Sequence, residues 1–219
     1  MLDLVLKSGP GLRRVLCLGA HCDDIEIGCG GTLLALQQRP NLKIDWVVLS
    51  GTAEQRAETL KAMQLLVRPR ARGELIFGDF PDGSFPGRYA DTKDFVESLK
   101  GRLKPPDIIL THEREDRHQD HRLVNELVWI TFRDQVVLEY EIPKWDGGLG
   151  QPNVYVPVTA RQTKAKLDAL LASHRSQRER DWFTRDTFMS LLRLRGLECR
   201  SPSGYAEGFH GRKLRIAAI

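Results

Sequence analysis

Five short apolar runs, "RRVLCLGA", "LKIDWVVLS", "ELIFG", "DIILT" and "QVVLEYEI", are separated by segments in which apolar residues recur every three or four positions. The intervening segments are "TLLALQQ", "AEQRAETLKAMQLL", "DFVESLKGRLK" and "HRLVNELVWITF". Strands that lie side by side in one direction need a long crossover between the end of one and the start of the next, and a helix usually supplies it. The alternation therefore predicts an α/β chain: a Rossmann-like, mostly parallel sheet with helices on both faces. After Pro143 the pattern loosens into a turn-rich loop, "PKWDGGLGQP", a short strand, "NVYVPV", and two helical segments, "ARQTKAKLDALLASH" and "TFMSLLRLRG". A last strand is expected at "RKLRIAA". No repeat, low-complexity tract or linker divides the 219 residues, so a single domain over 1–219 is expected.

Charge excludes some classes of function. The net +4 is dispersed in short clusters such as "RPRARG", a weak footprint for nucleic acid or a membrane surface, and neither is expected as a partner. No apolar stretch approaches the roughly 20 residues of a membrane span. The start, "MLDLVLKSGPGLRR", lacks the order of a secretory signal, so a cytoplasmic location is expected. Cys17, Cys22, Cys29 and Cys199 show no CxxC spacing, which argues against a disulfide framework or a cysteine-rich zinc finger.

In an open parallel sheet, binding groups collect where strands end and helices begin. Two polar clusters fall at such edges. "AHCDDIEIGCGG" follows the first strand, and "THEREDRHQDHRLV" follows "DIILT". Together they bring His21, Asp23, Asp24, His112, Asp116, His118, Asp120 and His121 to one rim, with four of the six histidines of the chain. Taken singly, each has a plain explanation: Asp23–Asp24 as a turn and helix cap, "HQDH" as a solvated helix start with Asp120 as its cap. Taken together they form a set of imidazoles and carboxylates of the kind that binds zinc, three protein groups leaving one position for water.

The same residues carry a family resemblance. "AHCDDIEIGCGGTL" resembles the AHPDDxExGxGG signature of the zinc-dependent N-acetylglucosaminyl deacetylases of the LmbE-like, or PIG-L, family, and "HQDHRLV" resembles their HPDH motif. "SGTAEQRAETLKA", "PPDIILTH", "LEYEIPKW", "NVYVPV", "KAKLDALLASHRSQ" and "GYAEGF" follow in the order expected of that family. Cys22 and Gln119 stand where the family motifs have proline. The resemblance implies His21, Asp24 and His121 as zinc ligands, with iron(II) or cobalt(II) able to share such a set. It implies Asp23 as the base that activates water and His118 as a second acid or oxyanion donor. Asp120 would orient His118 or a ligand imidazole, and Arg56 would contact substrate. The implied substrate is a small amino-sugar conjugate, deacetylated to acetate and the free amine; its aglycone, and self-association of the chain, stay open. His112, His174 and His210 are undecided neighbours of the site, as are Tyr89, Trp145 and Glu207. Two alternatives remain: a metal-dependent hydrolase of another amide or a phosphate ester, and a nucleotide-binding protein of the same fold. The carboxylates after the first strand count against the second, because pyrophosphate needs bare N–H groups there.

Overall fold

Residues 12–214 are described by a computed structural model. The first strand, β1 (Arg14–Gly19), places Val15 and Cys17 on one face and Leu16 and Leu18 on the other, and each face builds its own core. Parallel neighbours β2 (Lys43–Val48) and β3 (Arg72–Phe77) extend the sheet to one side of β1, and β4 (Ile108–His112) and β5 (Val136–Tyr140) to the other. Beyond β5 lie β7 (Ala206–Gly211) and then β6 (Val154–Pro157), giving the order β3-β2-β1-β4-β5-β7-β6. Only β7 runs against its neighbours.

The helices are α1 (Asp24–Leu36), α2 (Ala53–Leu66), α3 (Tyr89–Arg102), α4 (Gln119–Thr131), α5 (Ala160–Ser173) and α6 (Arg185–Glu198). Those numbered 1, 2, 5 and 6 cover the face of Val15; α3 and α4 cover that of Leu16. From β1 the chain steps outward to β2 and β3, then crosses back to β4 on the other side of β1, so the loops after β1 and β4 part at their carboxyl ends and open a crevice. Both polar clusters sit on those loops.

The glycine-rich start of α1 answers to close packing. A Cβ at Gly28 would lie 2.3 Å from the Tyr140 ring, and one at Gly31 would lie 2.9 Å from the Glu207 carboxylate. Glu207 reaches in to accept the Gly31 and Thr32 N–H groups at 2.7 Å each, while Lys166 donates to the Ile27 carbonyl and to Glu207, both at 2.6 Å.

The last strand is earlier than expected. It is "AEGFHG", bonded on both sides by β5 and β6. Of "RKLRIAA", Arg212–Leu214 form no strand and the rest lies outside the described residues. Arg212 instead turns its guanidinium to Glu113 and Glu139, at 2.7 and 2.9 Å.

Candidate metal centre

Helix capping does not explain the two aspartates. Asp23 occupies the cap position of α1, yet its side chain accepts no backbone N–H. Asp24 turns back and accepts the His21 N–H at 2.6 Å. At the other loop the cap of α4 is His118, whose Nδ1 accepts the Asp120 N–H at 3.3 Å.

The side chains meet across the crevice. His21 Nδ1 lies 3.1 Å from His121 Nε2, and the Asp24 carboxylate lies 3.4 Å from His121 Nε2 and 3.6 Å from His21 Nδ1. Ligands about 2.0–2.1 Å from a tetrahedral zinc are about 3.3–3.4 Å apart, so these three groups fit that ion. The ring nitrogens of His21, His118 and His121 also converge within 4.8 Å, as do ligand atoms of Asp24, His112 and His121.

Outer groups hold the inner ones. Asp116 Oδ2 lies 3.0 Å from His121 Nδ1, and Lys144 Nζ donates to both Asp116 oxygens at 2.7 Å. Asp120, fully buried, accepts the Gly83 and Phe85 N–H groups and sits 3.3 Å from His21 Nε2. Its carboxylate thus orients His21, while its backbone N–H meets His118. His112 stacks on His121 with ring centroids 3.8 Å apart and places Nε2 3.1 Å from Asp24. These are the carboxylate–imidazole supports that metal ligands need.

The field of the cluster is negative. Burial and the charge of Asp24 push the Asp23 carboxyl up to about 7. Burial opposes the charge of Asp24 itself, but His121, His112 and His21 hold its carboxyl well below the usual range. His21 is pushed up to about 10: burial works against its proton, and Asp120, Asp82 and Asp24 outweigh burial. His118 and His121 shift downward, through burial first and neighbouring imidazoles second. A proton on His21 answers here the same negative field that a bound cation would.

Residues 16–132 match the family described as PIG-L, GlcNAc-PI de-N-acetylase, a span that includes both loops. The chain belongs to the PIG-L family. A relative from Escherichia coli (strain K12), named "Uncharacterized deacetylase YaiS", is 30% identical over 193 residues, covering 80% of this chain and 98% of the relative. An N,N'-diacetylchitobiose deacetylase from Pyrococcus horikoshii superposes with a TM-score of 0.70 at 22% identity, over 90% of this chain and 83% of that one. The 4-carboxy-2-hydroxymuconate hydratase GalB from Pseudomonas putida KT2440 superposes at 0.72 with 18% identity, over 95% and 99%. One fold carries more than one chemistry, so activity has to be argued from the site.

In this PIG-L domain the triad opens on a cleft of about 280 Å³ whose walls include Asp23, His118, Gln55, Gln177, Lys144 and Trp145. Arg56, expected at the substrate, is engaged by the chain itself. Its guanidinium donates to the Gly51 and Gly78 carbonyls and to Asp79, lies 5.3 Å over Phe77, and is absent from the cleft lining. Tyr89 is likewise outside the cleft, donating to Glu126. His174 is buried beneath it, 3.0 Å from Glu26, and His210 lies on β7 against the Gly150 loop. Hydrogen bonds stand in for the two missing prolines. Cys22 donates to the Ser50 carbonyl at 3.3 Å, its thiol pushed up to about 12 by burial, and Gln119 donates to the Gly83 carbonyl at 3.3 Å. Lys144 and Asp82 escape sequence reasoning. Asp82, largely exposed, lies 3.0 Å from His21 Nε2 and is signalled only by its position after an apolar run, whereas Lys144 falls in the family-like stretch "LEYEIPKW" without being marked there as part of the site.

Proposed function

We propose that this protein is a zinc-dependent deacetylase that hydrolyses the acetamide of an N-acetylglucosamine-containing substrate, releasing acetate and the free amino sugar. One observation carries the reading: an uncapped, buried carboxylate, Asp23, beside two imidazoles and a second carboxylate 3.1–3.6 Å apart, all lining one cleft. His21, Asp24 and His121 would hold the metal. Zinc bound there would supply a Lewis acid that brings the pKa of water to about 7 and polarises a carbonyl.

The chain's own groups do the rest. Asp23 accepts a proton from the attacking water, and its raised proton affinity near neutrality suits a base that must later give that proton up. The water oxygen bonds to the acetamide carbon, the C–N bond breaks, and the proton goes to the departing nitrogen. His118, whose Nδ1 accepts the Asp120 N–H, has Nε2 left to donate toward the oxygen on which charge develops. Asp116, fixed by Lys144, and Asp120, fixed by Gly83 and Phe85, keep His121 and His21 aimed.

Purified protein, stripped of metal and reloaded with zinc, is to be offered N-acetylglucosaminides, with acetate and amine measured together. Equal yields of both, dependent on zinc, support the reading. Full activity after stripping, or release of phosphate from esters without acetate release, removes it.

A further inference from the structure

The basic stretch "RPRARG" takes no part in the metal centre. It runs from the end of α2 into β3 and forms one wall of a second cleft, of about 430 Å³, whose other walls are the last turn of α1 and the first turns of α5. Helix α1 begins at Asp24, beside the triad, and Gln37 caps its other end, about 20 Å away along the axis at 1.5 Å per residue. This cleft therefore lies at the opposite edge of the sheet from the metal.

Three guanidiniums line it, those of Arg68, Arg72 and Arg161, and no carboxylate does. Elsewhere Arg14, Arg56, Arg88, Arg185, Arg195 and Arg212 each face an acid at 3.0 Å or less. Among the described residues the side chains of Arg68 and Arg161 meet neither a counter-ion nor a hydrogen-bond partner. Arg72 donates to the Val67 and Gln64 carbonyls at 2.8 and 2.7 Å, neutral acceptors that leave its charge uncompensated. Arg161 stands in the first turn of α5, where no acidic residue offsets the positive end of the helix. The whole chain carries only +4, so the excess at this one place is a local concentration.

The wall is held in shape from within. Gln37, 2% exposed, donates to the Leu66 carbonyl at 2.8 Å and accepts the Arg68 N–H at 2.7 Å, while Arg72 braces the turn from the other side. The Gln64 amide makes no bond among the described residues, and Leu34, Leu65 and Ala165 supply apolar lining. A guanidinium matches phosphate oxygens two at a time, and the volume falls within the roughly 300–1,000 Å³ of small-molecule sites.

We propose that this cleft binds a small phosphate monoester, its dianionic head among Arg68, Arg72 and Arg161 and its organic body against Gln64 and Leu65. The site stands apart from the deacetylase reading, which needs none of these side chains.

Calorimetric titration of the purified protein at physiological ionic strength tests it, with inorganic phosphate, glucose 6-phosphate, adenosine 5′-monophosphate and citrate as probes. At least one ester is expected to bind about tenfold tighter than inorganic phosphate or citrate. Arg68→Gln and Arg161→Gln should each weaken it by about tenfold or more, the scale of a lost charge-assisted hydrogen bond, with metal content unchanged. Asp24→Ala should leave the binding as it was. Ester binding that survives the double arginine variant, or that falls in Asp24→Ala, overturns the site. So does citrate that matches the esters, or heat from no probe at all. Vesicles of equimolar phosphatidylserine and phosphatidylcholine that retain the wild type and release the double variant, with no soluble ester bound, overturn it in favour of a membrane surface.

Discussion

Helix α1 touches two largely buried ionic clusters that are opposite in kind. At its amino end Asp23, Asp24, His112 and His121 are 8% exposed or less; toward its middle Lys166 and Glu207 are each 3% exposed. The Lys166–Glu207 pair is closed. One cation faces one anion, and the remaining valences are met by the Ile27 carbonyl and the N–H groups of Gly31 and Thr32. The amino-terminal cluster is open. Asp23, Asp24, Asp116 and Asp120 face the ammonium of Lys144 and a His21 imidazole that takes up a proton in answer to them, and the imidazole nitrogens point at one another around a shared space. Burying charge is costly unless it is paired. A balanced pair is architecture, whereas an imbalance of this size calls for a cation from outside.

The largest effect expected from that contrast follows removal of an open-cluster ligand. Asp24→Ala should bring metal content to background by mass spectrometry, and acetate release with it, while the folded protein persists. A variant that keeps its metal would break the comparison at its centre. Next in size, Asp23→Asn should retain metal and lose turnover by roughly 100- to 10,000-fold, the scale for a positioned base. If Asp23 acted only through the helix, the loss would be about 1 kcal/mol of stability and little activity per folded molecule.

The closed pair should behave in reverse. Lys166→Met leaves Glu207 buried without its cation and is expected to cost about 3–5 kcal/mol in denaturant unfolding. Turnover per folded molecule should hold. Lys166→Met with Glu207→Leu should recover most of the stability, since a well-packed apolar pair often equals a buried ionic one. A single variant that unfolds normally but loses activity would erase the distinction between the clusters.

These two regions also differ in how far the sequence discloses them. The open cluster is legible because each loop follows its own apolar strand, so His21, Asp23 and Asp24 in one and His118, Asp120 and His121 in the other are contiguous in the chain. The parallel sheet is legible for the same reason: period and spacing are local signals. The closed pair spans 41 residues and depends on how α5 and β7 meet α1, which no local pattern encodes. Lys144 reaches Asp116 across 28 residues, and Arg56 finds Asp79 and the Gly78 carbonyl at the end of β3, so each acquires its part only in three dimensions. The final strand lies at "AEGFHG" although "RKLRIAA" is richer in strand-forming residues. What decides is the pairing of β7 with both β5 and β6, with Gly208 in a place where a Cβ would strike Pro152 at 2.7 Å.

Between the two clusters lies a third, and it yields the smallest effect. His174 and Glu26, both fully buried, meet at 3.0 Å, while Glu26 Oε2 and His174 Nδ1 have no hydrogen-bond partner. The pair is half closed. Burial works to lower the proton affinity of His174, but Glu26, then Asp23 and Glu58, raise it above its ordinary 6.5. A group that holds its proton more tightly folded than unfolded adds stability that is complete below the unfolded value and disappears as pH climbs through the folded one. The melting temperature of the wild type, taken relative to His174→Gln, should therefore be greatest below about pH 6.5 and shrink as pH rises above it, through the raised folded value. Subtracting the variant removes the contributions of every other titrating group that the change leaves alone, His21 included. A difference that stays flat across that range would mean that His174 is neutral in the folded protein. The pair would then be an ordinary buried hydrogen bond rather than a member of the charged network that runs from Glu26 to Asp23.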